Sequence, residues 1–346
     1  MTGKFSRHLR RCALGAAALL VAGCAMTAPG LTPASQQGVT IVRQGSFEAG
    51  GKVIGEPGGQ TLSCDHGHVE YQVPANAAST AVFLWHSSSA AVWQRNWAGG
   101  EGFQNMVLRA GYSTYVWDGP RVGRANWGCE PYPYEPVLGR DQGNIGAWRL
   151  GPRYGEFFPG VQFPVGDPAA LDQAVRARYL EFDTVANAQL ETDAAAAALE
   201  RAGPAVLVTN SAGGFRALLT RLKSDNVKAI VAYENPGYIF PESTQPRLPQ
   251  GPFGPVYVSD AEFAKLTQIP IQIVWGDNLD KSPDWTNFSK LADAFVRVVN
   301  ERGGQAEVLH LPEAGLSGNS HIPFADLNNA EVARLFFAYL DENGLR

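Results

Sequence analysis

From about residue 69 onward, short apolar runs alternate with stretches of helical periodicity, and that alternation is what most restricts the architecture. Val69–Val73, Ala81–Trp85, Tyr112–Trp117, Ala205–Thr209, Ala229–Tyr233, Pro270–Trp275 and Ala306–Leu311 read as strands. Gly102–Ala110, Asp183–Arg201, Gly213–Lys223, Ser289–Glu301 and Asn329–Asn343 read as helices. Strands separated by helices of this length predict βαβ units and a mostly parallel sheet with helices on its faces. The 346 residues suit one large domain, or a core carrying an insertion.

One interval breaks the rhythm. Trp117 to Ala205 is far longer than the dozen or so residues that a crossover helix needs. Its first part, GPRVGRANWGCEPYPYEPVLG and then WRLGPRYGEFFPGVQFP, is rich in Gly, Pro and aromatics. A structureless loop of that length is uncommon in a compact domain. The expectation is a cap-like insertion over about 119–180, lying over the carboxyl ends of the strands, where sheets of this kind bind ligands.

The amino terminus reads as a targeting segment. Basic residues up to Arg11 precede the apolar run CALGAAALLVAG, which is too short to span a bilayer. The run ends in Val21-Ala22-Gly23-Cys24, the pattern of a bacterial lipobox, in which the Cys24 thiol is lipidated and becomes the first mature residue. The alternative is an ordinary signal peptide cut nearby. Residues 1–23 are then a signal peptide, 24–37 a flexible tether, and 38–346 the folded domain. The expected location is the outer membrane, facing the periplasm or the exterior, with periplasmic or secreted protein as the alternative. Without the four basic residues of the signal, 24 basic residues face 33 acidic ones, a net charge of −9 that argues against a nucleic-acid partner. Export also sets the redox compartment. Cys64 and Cys129 remain as an even pair in an oxidising space, and sequence leaves open whether they form a disulfide or stay as buried thiols.

Three local signals carry chemistry. In AVLVTNSAGGFRALLT an apolar strand runs into Thr209-Asn210-Ser211-Ala212-Gly213-Gly214 and then a helix. A nucleophilic Ser on a tight strand-to-helix turn needs small neighbours, and the helix N-terminus favours developing negative charge. The competing reading is a plain turn that caps a helix. Trp85-His86-Ser87-Ser88-Ser89 follows a buried strand, where an α/β hydrolase supplies one oxyanion donor. That assigns the donors to the N–H groups of Ser88 and of Ala212, with His86 as a structural histidine. His321, in Gly315-Leu316-Ser317-Gly318-Asn319-Ser320-His321, lies in a loop after the last strand, where the general base of that fold belongs. For the acid the residues leave three candidates. Asp277 and Asp280 follow Pro270–Trp275, and Glu234 ends the preceding strand, next to that of Ser211. His66-Gly67-His68 is too little for a metal site without further ligands.

The marks GYSTYVWD, RLGPRY, GVQFP, AIVAYENPG, IPIQIVWGD and GNSHIPFADLNN, in that order, resemble a group of exported bacterial esterases of the α/β-hydrolase superfamily. The similarity runs from about Gly45 to the C-terminus. It implies Ser211 as nucleophile, His321 as base, Glu234 after the sixth strand as acid, and Ser88 and Ala212 as oxyanion donors. The chain departs from the group where its members carry HG-C-C, here His86-Ser87-Ser88-Ser89, and at Thr209 of the elbow.

The expected function is hydrolysis of carboxylic esters through an acyl-enzyme, with no metal or cofactor. The substrate would be a small or polymeric ester, and the membrane is met only through the N-terminal anchor. The alternatives are C–C, lactone or amide cleavage by the same residues, or a non-catalytic lipid-anchored binding protein on the same fold.

Overall fold

A computed structural model describes residues 38–346 other than Ser88, Pro133, Gln245, Pro246, Leu248–Gln250 and Pro252. The signal peptide, Cys24 and the tether lie outside the described residues. Among the described residues, ten strands run as β1 (Ile41–Gly55), β2 (Thr61–Pro74), β3 (Ala81–Trp85), β4 (Thr114–Asp118), β5 (Ala205–Asn210), β6 (Val227–Tyr233), β7 (Ile239–Pro241), β8 (Val256–Val258), β9 (Pro270–Trp275) and β10 (Gln305–His310). Eight form one sheet in the order β1-β2-β4-β3-β5-β6-β9-β10, parallel from β4 to β10 and antiparallel where β2 meets β4 and β1.

The helices are α1 (Ala91–Gln94), α2 (Phe103–Arg109), α3 (Arg140–Ala147), α4 (Pro168–Arg176), α5 (Val185–Ala202), α6 (Ala212–Lys223), α7 (Asp260–Phe263), α8 (Pro283–Glu301) and α9 (Asn329–Glu342). They cover both faces of the sheet, which is why its central strands are largely apolar on both faces. Successive side chains of a strand point to opposite faces. Phe83 and Trp85 therefore pack with Leu207, Ile230, Phe215 of α6 and Phe295 of α8, while Val82 and Leu84 pack with Val206, Val231, Phe103 of α2 and Phe336 of α9.

The expected strands reappear within a few residues, and β3 and β9 keep their boundaries. Val69–Val73 is only the end of the much longer β2, and β1 was not anticipated. Ile41–Gly55 contains four glycines and is mostly exposed, so it shows little alternation of apolar and polar residues. The interval after β4 holds a short 3-10 turn at Gly123–Ala125, α3, α4 and irregular chain. Cys64 of β2 and Cys129 at the start of that interval are joined, with sulfur atoms 2.01 Å apart and Cα atoms 5.0 Å apart. Asp65 reinforces the join, accepting from Cys129 N–H at 3.2 Å and from Arg121 Nε at 3.0 Å.

Candidate active site

β5 and α6 meet at Ser211, whose backbone has φ 53° and ψ −130°. This is strained for a residue with a side chain and puts Ser211 at a sharp corner. The corner is held by the Ser211 N–H donating to Tyr233 O at 2.8 Å, and Gly214 N–H donating to Ser211 O at 2.9 Å. The two glycines that follow are required by space. A Cβ on Gly213 would lie 2.9 Å from the carbonyl oxygen of Trp85, and one on Gly214 would lie 2.7 Å from Asn235 Cγ. The Ser211 side chain makes no capping bond to α6, in contrast to the helix-cap alternative. Ala212 is the first residue of α6 and is buried.

Glu234 directly follows β6 and also has a positive φ, 60°. Its carboxylate is fully buried and accepts four contacts. Arg149 donates from Nη1 to Oε2 and from Nη2 to Oε1, both at 2.7 Å, and Gly276 N–H donates to Oε1 at 2.5 Å. Nδ1 of His321 lies 3.3 Å from Oε2. Burial works to raise the Glu234 carboxyl, but the Arg149 charge and the bonds from His321 and Arg149 outweigh it and hold it at about 2. Burial pushes His321 below the ordinary imidazole value, against the upward pull of Glu234 and with the Arg149 and Arg178 charges assisting.

The loop bearing His321 is fastened from several sides. Asn210 Nδ2 donates to His321 O at 3.0 Å, and His321 N–H donates to Trp148 O at 3.0 Å. Asp326, wholly buried, accepts from Ser320 N–H, Ser320 Oγ, Asn319 Nδ2 and Trp97 Nε1 at 2.6–3.1 Å. The ring of Trp285 lies against His321, centroids 4.3 Å apart.

The other two acid candidates stand elsewhere. Asp277 spends Oδ2 on Gly318 N–H and Oδ1 on Asn278 N–H, each at 2.7 Å, so it shapes the same loop without touching the imidazole. Asp280 is exposed and pairs with Lys281 at 2.6 Å. Ser88 lies outside the described residues, so its place relative to Ala212 is not part of this geometry. His86 is held by a side chain: its Nε2 meets buried Asp118 at 2.7 Å, and its ring packs edge-on against Tyr179. The bonds from His86 and Arg124 hold the Asp118 carboxyl down in spite of burial.

A cavity of about 640 Å³ opens on Ser211 and His321. One wall is aromatic, with Trp285, Phe288 and Phe253. The long interval after β4 adds Asn144, Trp148, Arg178 and Glu181 to the lining, and Trp285 Nε1 donates to Ala147 O of that interval at 3.0 Å. Among the described residues, no group of three or more His, Cys, Asp or Glu side chains is arranged to hold a metal ion.

Sequence reasoning missed Arg149, Asn210 and Asp326. Arg149 and Asp326 stand inside the quoted runs RLGPRY and GNSHIPFADLNN, and Asn210 is the elbow residue next to Ser211. Nothing in residue type separated them from solvated neighbours.

No family model matches the chain. A solved structure described as a novel bacterial esterase superposes with TM-score 0.74 and 25% identity, covering 90% of this chain and 99% of that one. A probable secreted lipase, phiG, from a fungus (strain ATCC 74256) is 23% identical over 321 residues, covering 80% of this chain and 85% of the lipase. The chain has the α/β-hydrolase fold, and its likeness to an esterase and a lipase supports ester hydrolysis in general.

Proposed function

We propose that the protein is a serine esterase using Ser211, His321 and Glu234. The observation that carries the reading is the convergence of His321 Nδ1 on a buried, ionised Glu234, in a cavity that also opens on the strained Ser211. Nδ1 facing Glu234 leaves Nε2 as the nitrogen that accepts the Ser211 proton. A neutral imidazole is the form needed for that transfer, and the depressed His321 value keeps it neutral at ordinary pH. Ser211 attacks the ester carbonyl, and the oxyanion forms beside the N-terminus of α6, where the Ala212 N–H and that of Ser88 are the proposed donors. The alcohol leaves with the proton from His321. Water, deprotonated by the same imidazole, then clears the acyl-enzyme. Glu234 holds the ring and stabilises the imidazolium throughout.

The esterase and lipase likenesses favour esters over C–C, lactone or amide bonds. The aromatic wall of Trp285 and Phe288 suits an apolar acyl or alcohol group. We also propose that the protein is exported and anchored through Cys24, with Cys24→Ser releasing it from the membrane fraction. The catalytic test is an ester panel run with wild type and Ser211→Ala. Acid release by wild type alone supports the reading. Cleavage of amide or C–C substrates in preference to esters contradicts it, as does an absence of turnover and of reaction at Ser211, which would favour a binding protein.

A further inference from the structure

Arg149 belongs to the interval between β4 and α5, yet it reaches the centre of the site. Its side chain is 1% exposed and closes on the fully buried Glu234 through two parallel bonds of 2.7 Å. Its Nε donates to Asp277 O at 2.8 Å, and its backbone takes a positive φ of 55° to arrive there. Nη1 of Arg149 and Nδ1 of His321 address the same oxygen, Oε2, at 2.7 and 3.3 Å. The Arg149 guanidinium also lies over the Trp285 ring that packs on His321.

We infer that Arg149 is a positioning residue that fixes Glu234 and offsets its charge, so that His321 works beside a neutral ion pair and not beside a bare carboxylate. The inference rests on the reading of Ser211, His321 and Glu234 as a triad. An imidazolium gains less from a neutral pair than from a lone anion, so His321 stays deprotonated, and able to accept a proton, to lower pH. The other charges around the ring do not reverse this. Arg178 adds a second positive charge on the same cavity. It is bonded to Glu181, whose carboxyl burial and Asp183 push up. Asp284 lines the cavity at an exposed position. Asp277 is occupied by two backbone N–H groups, and Asp326 sits behind the loop on Ser320. Tyr238, buried with its hydroxyl donating to Asn235 O at 2.8 Å, is held neutral by burial and by the Glu234 charge.

The test is the pH profile of kcat/KM on an ester substrate for wild type, Arg149→Met and Arg149→Lys, with phosphonate labelling of Ser211 in the same preparations. The acid limb of Arg149→Met should move up by about one pH unit. Arg149→Lys keeps the charge but loses the two-pronged grip, so its limb should stay near wild type while kcat falls. Lower activity in both variants at an unchanged limb would overturn the inference and leave Arg149 as a purely structural residue. Should Arg149→Met fail to fold, Arg149→Gln takes its place, and NMR titration of His321 in that variant and in wild type decides. The His321 midpoint is expected to rise by about one pH unit in the variant, and an unchanged midpoint would overturn the inference. Wild type that takes no phosphonate at Ser211 would instead overturn the triad reading itself, an outcome distinct from an unchanged limb in a labelled enzyme.

Discussion

Asn210 holds the backbone of His321: its Nδ2 donates to the His321 carbonyl oxygen at 3.0 Å, both groups being buried. The residue before the proposed nucleophile, the last of β5, thus locks the loop of the proposed base. Asn210→Ala would leave a buried carbonyl without its donor, a loss on the order of 1–3 kcal/mol. We expect kcat to fall about tenfold with KM little changed, since misplacing the base harms the chemical step more than binding. Steady-state kinetics on the variant checks this.

Replacing the acid candidates should separate them sharply. Glu234→Gln is expected to lose about 10⁴ in turnover, the usual scale for a triad acid. Asp277→Asn should lose less than tenfold, because its carboxylate only receives loop N–H groups. Asp280→Asn should be unchanged, since that side chain is exposed and paired with Lys281. A larger loss at Asp277 than at Glu234 would return the acid to the loop after β9.

How much of this was legible in the sequence follows from what pattern can carry. The central strands could be read because both of their faces are buried, which makes Ala81–Trp85 a continuous apolar run and leaves Gln272 as the one polar residue in Pro270–Trp275. Ser211 and its glycines could be read because a tight corner constrains residue type locally. β1 could not, because an exposed edge strand has no apolar face to show. Arg149 could not, because its partner is 85 residues away and an arginine among glycines and prolines looks like any solvated one.

Acid stability should carry the signature of Glu234. Its folded value of about 2 lies below the unfolded value, so the folded state binds fewer protons than the unfolded chain. The stabilisation is present above the ordinary carboxylate value of about 4.3 and is lost as pH falls toward 2. Denaturant unfolding at several pH values should show this slope in wild type and a shallower one in Glu234→Gln. Equal slopes would show that Glu234 is not held ionised.

The Cys64–Cys129 bond closes a loop with a sequence separation of 65. By the chain-entropy account its loss costs about 4 kcal/mol. Cys64→Ala with Cys129→Ala should therefore lower the thermal midpoint by several degrees in calorimetry, with β2 no longer tied to the interval that carries Arg149. An unchanged midpoint would mean that the bond adds nothing to stability.

The central claim is that Ser211 is the nucleophile, and the most direct measurement is intact-protein and peptide mass spectrometry after exposure to a fluorophosphonate, with ester turnover followed in parallel. Wild type should gain one adduct on Ser211 as activity disappears in proportion, and Ser211→Ala should gain none and retain less than about a hundredth of wild-type turnover. An adduct on another residue, or ester hydrolysis that persists in Ser211→Ala, would contradict the account.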